Sequence, residues 1–198
     1  MRTVKLIHCA GLDVAELAAR TCTATTDKMS DTWMDCEAFL MRLVEHGHMS
    51  VFEHVNYTFS IKGVSRALLQ ELARHRHISL SVESTRWALK RIMASDPELV
   101  IPDIIKDDAS PNMKRMMRCI REELENGYSN DEVKYLIPEC LPTNLVLTLN
   151  LRELIHIYRL RTSMRALKEF HDLMIDIAQC LPPPHFRILT NAAYPEHE

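Results

Sequence analysis

The chain has 198 residues, 46% of them apolar and 26% charged, with a formal net charge of −3. That length fits about one domain with a core of its own, and the charge argues against a global basic field that would hold nucleic acid, so any anion site must be local. None of the six cysteines sits at C-x-x-C spacing, which disfavours a zinc knot or dithiol motif and points to a reducing cytoplasm; the first seven residues are too short an apolar run for a secretion signal, and no stretch approaches the roughly 20 apolar residues of a membrane span.

In chain order, residues 2–9 alternate apolar and polar types and predict a strand. Asp13 is expected to cap a helix over 14–20. A longer helix is predicted over 31–45, with Trp33, Phe39, Leu40, Leu43 and Val44 as its apolar stripe and Gly47 as its stop. Over 53–62, Val55, Tyr57, Phe59 and Ile61 alternate with His54, Asn56, Thr58 and Ser60, and Gly63 is expected to end this strand. Residues 64–73 read as a helix and 78–87 as an ordered polar loop. A charged helix is predicted over 111–127, a turn between Pro138 and Pro142, a strand over 143–150, and helices over 151–161 and 163–181. Leu167, Phe170, Leu173, Met174, Ile177 and Leu181 line the last of these, which Pro182, Pro183 and Pro184 terminate. The expected fold is α+β: a small antiparallel or mixed sheet flanked by helices, in a single domain over 1–198 with 182–198 as a C-terminal tail.

Polar chemistry concentrates in three segments. His46, His48 and His54 fall within nine residues, a spacing that invites a metal but equally suits a helix end where histidine satisfies carbonyls. Residues 71–87 hold Arg74, Arg76 and Arg86 with His75, His77, Ser79, Ser81, Ser84 and Thr85. Such donors can fork onto phosphate oxygens, or form a solvated or RNA-contacting loop. Over 150–161, Arg152, His156 and Arg159 share one helical face and Arg161 projects elsewhere, with Glu153 placed to balance an arginine.

Together these segments resemble the flavin-dependent thymidylate synthases. Arg74-His75-Arg76, seven further residues and then Ser84 meet that family's signature, and Ser79 and Arg86 meet its extension. Upstream, Gly47, His48, Ser50, Glu53 and His54 match a Gly-His-x-Ser/Thr-x-x-Glu-His element, and the phrase from Gly63 to Ala67 is similar. Downstream, Asn150, Arg152, Leu160 and Arg161 match Asn-x-Arg and Leu-Arg. The resemblance spans about residues 1–180.

What the resemblance implies is an enzyme of de novo dTMP synthesis. It would methylate dUMP with a one-carbon unit from methylenetetrahydrofolate and hydride from FADH2, with NADPH reducing the flavin and no metal. It would be a homotetramer with active sites shared among subunits. Ser50, Arg74, His75, Arg76, Val82, Asn150, Arg152 and His156 fall at FAD positions. Glu71, Arg74, Val82, Glu83, Ser84, Arg86, Lys134 and Arg161 fall at dUMP positions. His48 lies beside the flavin and handles folate, and Arg161 stabilises charge on the pyrimidine. Ser84 has no His–Asp relay near it and reads as a binder.

The chain also departs from the family. Ser81-Val82 replaces Asn-Glu, leaving position 82 its backbone alone, and Lys134 replaces an arginine, keeping charge without the fork. His156 stands for an amide and Trp87 for tyrosine, and either Gln70 or Glu71 faces the nucleotide. Two other classes remain at this point, an RNA- or nucleotide-binding module and a histidine-metal hydrolase. Few aromatic residues, 6%, disfavour RNA stacking.

Overall fold

The computed structural model describes residues 2–194. Its elements are β1 (Thr3–Cys9), α1 (Asp13–Cys22), α2 (Trp33–Glu45), β2 (Asn56–Ser65), α3 (Arg66–Leu72), β3 (Ile78–Val82), α4 (Thr85–Ala94), α5 (Asp103–Glu125), α6 (Asn130–Val133), β4 (Pro142–Asn150), α7 (Leu151–Arg161), α8 (Lys168–Gln179) and α9 (Pro183–Ala193). The strands form one four-stranded sheet in the order β1-β2-β4-β3, and helices make up most of the rest, which is the expected α+β class. Against β2, the partner positions on β4 run in the opposite order. The Leu151 N–H donates to Val55 O, Thr58 and Thr148 hydroxyls meet at 3.0 Å, Gly63 N–H reaches Asn144 Oδ1, and Arg66 N–H reaches Leu141 O. The pair is therefore antiparallel.

The chain divides into two compact units. One comprises the residues up to Thr3 with Ile61–Arg74 and Ser81–Leu145; the other comprises Val4–Ser60, His75–Leu80 and the residues from Val146 onward. In the first, α4, α5 and α6 pack together around Leu89, Ile92, Met93, Met117, Ile120, Leu124 and Val133. In the second, α7 packs on α8 and α9, and α2 on α9, burying Leu40, Leu154, Ile157, Phe170, Leu173, Ile188 and Leu189.

Several local expectations are corrected. Asp13 lies inside the first turn of α1, where a carboxylate suits the helix dipole; Leu12 holds the N-cap position with no side-chain bond. Helix α2 starts at Trp33 because Thr32 caps it, accepting from Asp35 N–H, and Trp33 faces solvent while Cys36 and Leu40 are buried. Residues Met49–His54 coil into a 3-10 helix, so β2 starts at Asn56. Gly63 does not end β2. It takes a φ of +70°, which glycine tolerates, and the strand continues to Ser65.

The polar loop over 78–87 is instead β3 and the start of α4. As an edge strand, β3 turns Ser79 and Ser81 outward, so its polarity hides a strand. Helix α5 begins at Asp103 after Pro102, and Pro111 sits inside it. Residues 163–167 form a turn, in which Ser163 Oγ donates to Leu160 O, and α8 starts only at Lys168. The three prolines end nothing: Pro182 takes the N-cap position, and Pro183 and Pro184 open α9, where a missing N–H costs no helical bond. Part of the expected tail is thus a helix with His185, Ile188, Leu189 and Ala193 buried. Residues 195–198 of that tail lie outside the described residues.

Candidate functional site

In the second unit the polar centre forms around His75, just beyond the residues of α3. His75 is 7% exposed. Its Nε2 accepts the Arg161 Nε–H at 3.2 Å, and its Nδ1 faces Glu153 Oε1 at 3.7 Å. A guanidinium keeps its protons, so Nε2 must carry a lone pair and the imidazole proton lies on Nδ1, toward the carboxylate. The ring edge meets Phe170 at 5.9 Å and His156 at 6.2 Å, and the Arg161 guanidinium lies over the Phe170 ring at 4.7 Å. Arg161, at the end of α7, is therefore fixed by an acceptor and an aromatic face together.

Helix α7 also builds the groove beside this centre. Asn150 caps it, its Oδ1 accepting from Glu153 N–H at 2.9 Å, which sets the first turn and the direction of the following side chains. Asn150, Arg152, Glu153 and His156 then line an open groove of about 550 Å³ with Glu53 and His77. Arg152 Nη1 donates to Glu53 Oε1 at 2.5 Å. Arg152 and His156 share this groove as their spacing predicted, whereas Arg159 is not among its lining residues. Arg76 is exposed, as are His48 and Ser50 at the 3-10 helix. The His48 ring stacks on His46 at 6.4 Å, and His46 Nδ1 pairs with Arg42 O at 2.7 Å. Among the described residues no group of three or more His, Cys, Asp or Glu side chains is placed to hold a metal ion.

In the first unit Ser84 and Arg86 lie at the start of α4, and Val82 and Glu83 lead into it. Ser84 occupies the N-cap position and its hydroxyl makes no capping bond. Arg86 lies in the first turn, and its Nε and Nη2 donate to Asp131 Oδ1 and Oδ2 at 2.8 and 2.9 Å. The Arg86 hydrogen bonds, with a smaller contribution from the Lys134 charge, hold the Asp131 carboxyl below the usual carboxylate range. Lys134 opens a 3-10 turn directly after α6. Glu83 turns to Asn144: its Oε2 accepts from Asn144 Nδ2 at 3.0 Å, and its N–H donates to Asn144 O. Val82 ends β3, half-buried. Glu71 Oε1 pairs with exposed Arg74 Nη1 at 3.4 Å, while Gln70 Nε2 donates to Glu139.

Four residues of these two regions were not singled out from the sequence. Phe170 was read only as part of an apolar stripe, and Glu153 as a partner for an arginine, whereas it faces His75. Asn130 and Asp131 carry no signal in the sequence; they open α6, which the sequence does not predict.

A sequence model of the family described as thymidylate synthase complementing protein matches residues 5–183. A flavin-dependent thymidylate synthase from Campylobacter jejuni is 35% identical over 215 residues, covering 100% of both chains. One from Wolinella succinogenes is 35% identical over 194 residues, covering 92% of this chain and 95% of its own. The crystal structure of thymidylate synthase X from Helicobacter pylori with FAD and dUMP superposes with a TM-score of 0.87 at 33% identity, covering 96% of this chain and 99% of that one. With full-length relatives at this identity and a family match over most of its residues, the chain belongs to the flavin-dependent thymidylate synthases.

Proposed function

We propose that the chain forms dTMP from dUMP, with FAD as its cofactor, methylenetetrahydrofolate as carbon donor and NADPH as reductant, as a homotetramer in the cytoplasm. The observation that supports this best is the groove in which Asn150, Arg152 and His156 come together beside the His75–Arg161 pair. Its lining offers amide, guanidinium and imidazole groups along one wall, the donor chemistry that a dinucleotide's phosphates and ring edge require. Those three residues, with Ser50, Arg74, His75, Arg76 and Val82, are assigned to FAD. Glu71, Arg74, Val82, Glu83, Ser84, Arg86, Lys134 and Arg161 are assigned to dUMP, and His48 to folate handling.

Reduced FAD, when bound, supplies a hydride to the uracil ring, which spares the protein a nucleophilic thiol. That accords with the thiols at Cys9, Cys36, Cys140 and Cys180, which burial pushes up, Cys36 to about 12. The chain's own residues bind and orient. Arg161 meets the charge that develops on the pyrimidine, and it does so as a permanent cation rather than as an acid. His75 holds that guanidinium by accepting its Nε–H, which fixes the plane in which the side chain lies.

The test is a visible absorption spectrum of the purified protein, followed by titration with dUMP and assay of dTMP with folate and NADPH. Flavin bands that are released on denaturation, shift with dUMP and accompany dTMP formation are expected. Protein that takes up no FAD and forms no dTMP overturns the reading.

A further inference from the structure

We infer that Asp131 is a positioning residue for nucleotide binding: it grips one edge of the Arg86 guanidinium and so presents the other edge to the phosphate. This deepens the proposed function and rests on it, because it takes Arg86 as a dUMP-binding group.

A guanidinium has two edges that can fork onto an anion. Asp131 takes the Nε–Nη2 edge with two short bonds of 2.8 and 2.9 Å. Three N–H groups remain, and two of them lie on the Nη1–Nη2 edge, which matches a second planar or tetrahedral oxyanion. Without the carboxylate, an exposed arginine samples many rotamers, and ordering it on the ligand costs entropy.

The neighbouring residue adds a second tether. Asn130 Nδ2 donates to Arg86 O at 2.9 Å, so consecutive residues of α6 hold the side chain and the backbone of one arginine. Those residues are themselves fixed. Ser129 and Glu132 form a reciprocal capping box, with Glu132 N–H donating to Ser129 Oγ and Ser129 N–H to Glu132 Oε2. Helix α6 packs on α4, and Val133 enters the same core as Leu89 and Ile92. Lys134 follows in the next turn, within electrostatic reach of Asp131.

The pair is exposed, with side chains 63% and 50% accessible. An ion pair in that setting contributes little to stability. Its geometry therefore serves orientation more than folding. Charge alone makes the opposite forecast: a carboxylate beside a phosphate repels it, so deleting Asp131 would tighten binding. The sign of the effect separates the two.

The experiment measures dUMP and deoxyuridine dissociation constants on the FAD-loaded full chain, for the wild type, Asp131→Ala, Asp131→Glu, Arg86→Ala and the double variant, at physiological salt. Asp131→Ala should weaken dUMP roughly three- to fivefold, the range of an exposed pair, and leave deoxyuridine unchanged. Asp131→Glu should recover most of the loss. Asp131→Ala should add nothing once Arg86 is alanine. Tighter dUMP binding, an equal loss for deoxyuridine, or additive losses would overturn the role. Wild-type protein that binds no dUMP would overturn both this role and the function beneath it, whereas tight wild-type binding with indifferent Asp131 variants would overturn the role alone.

Discussion

His75 and Arg86 are each fixed by a partner that lies far away in sequence, but they sit at opposite extremes of solvation. Around His75, the imidazole and Glu153 are both buried, and Arg161 is held between His75 and the Phe170 face. Around Arg86, both members of the ion pair stand in water. Burial makes an unpaired polar group costly, so the His75 centre couples its geometry to the stability of the unit around it. The exposed pair is free of that coupling. Under the proposed function, a change there alters ligand binding and leaves the fold intact, whereas a change at His75 is expected to alter both.

Mutations can break or sharpen this contrast. The largest effect is expected at Phe170, which is fully buried and carries both His75 and Arg161. Phe170→Ala should lower unfolding stability by about 3–5 kcal/mol in urea titration; a smaller loss than that of an exposed aromatic would remove the buried anchor from the account. Next comes His75→Ala, which takes the acceptor from the Arg161 Nε–H and should cost about 1–3 kcal/mol by the same titration. A variant as stable as the wild type would show that the centre carries no stability.

A third, smaller effect depends on pH and concerns another buried histidine of the same unit. His185 pairs with Tyr57 Oη at 2.8 Å, and burial lowers its pKa from the ordinary 6.5 against an opposing pull from the Glu37 charge. The unfolded chain then binds the proton more readily than the folded one. The stability contributed by His185 is present above about pH 6.5 and is lost as pH falls through the depressed value. The thermal midpoint should fall between pH 7.5 and 5.5, and His185→Gln should flatten that slope; an unchanged slope would assign the acid sensitivity elsewhere. The smallest effect is expected from Arg86→Ala, whose thermal midpoint should match the wild type while dUMP binding weakens. A marked drop in that midpoint would erase the distinction between the two regions.

The regular parts of the fold were legible where burial imposes a period. Tyr57, Phe59 and Ile61 alternate into the core, and helix α7 runs from Leu151 to Arg161 as the sequence predicts. Legibility failed where burial is slight. Edge strand β3 shows water its serines, and the exposed first turn of α4, with Arg86 and Trp87, looked like loop. It failed too where one residue type has two uses, since the prolines at 182–184 read as a stop and act as a start.

The same division holds at the site. Arg152 and His156 share a groove because four-residue spacing on a helix fixes one face, a local rule, and Asn150 joins them from the N-cap. The pairing of His75 with Glu153, or of Arg86 with Asp131, joins residues remote in sequence, and no local rule encodes it. The motif pointed to the arginines, but their partners had to come from the fold.

The proposed function rests on a buried histidine holding the arginine assigned to the pyrimidine. Its most direct test is dTMP formation by FAD-loaded Arg161→Ala, with circular dichroism as the check on folding. A loss of about a hundredfold or more in turnover, with the helical spectrum retained, is the predicted result. Wild-type turnover from that variant would contradict it.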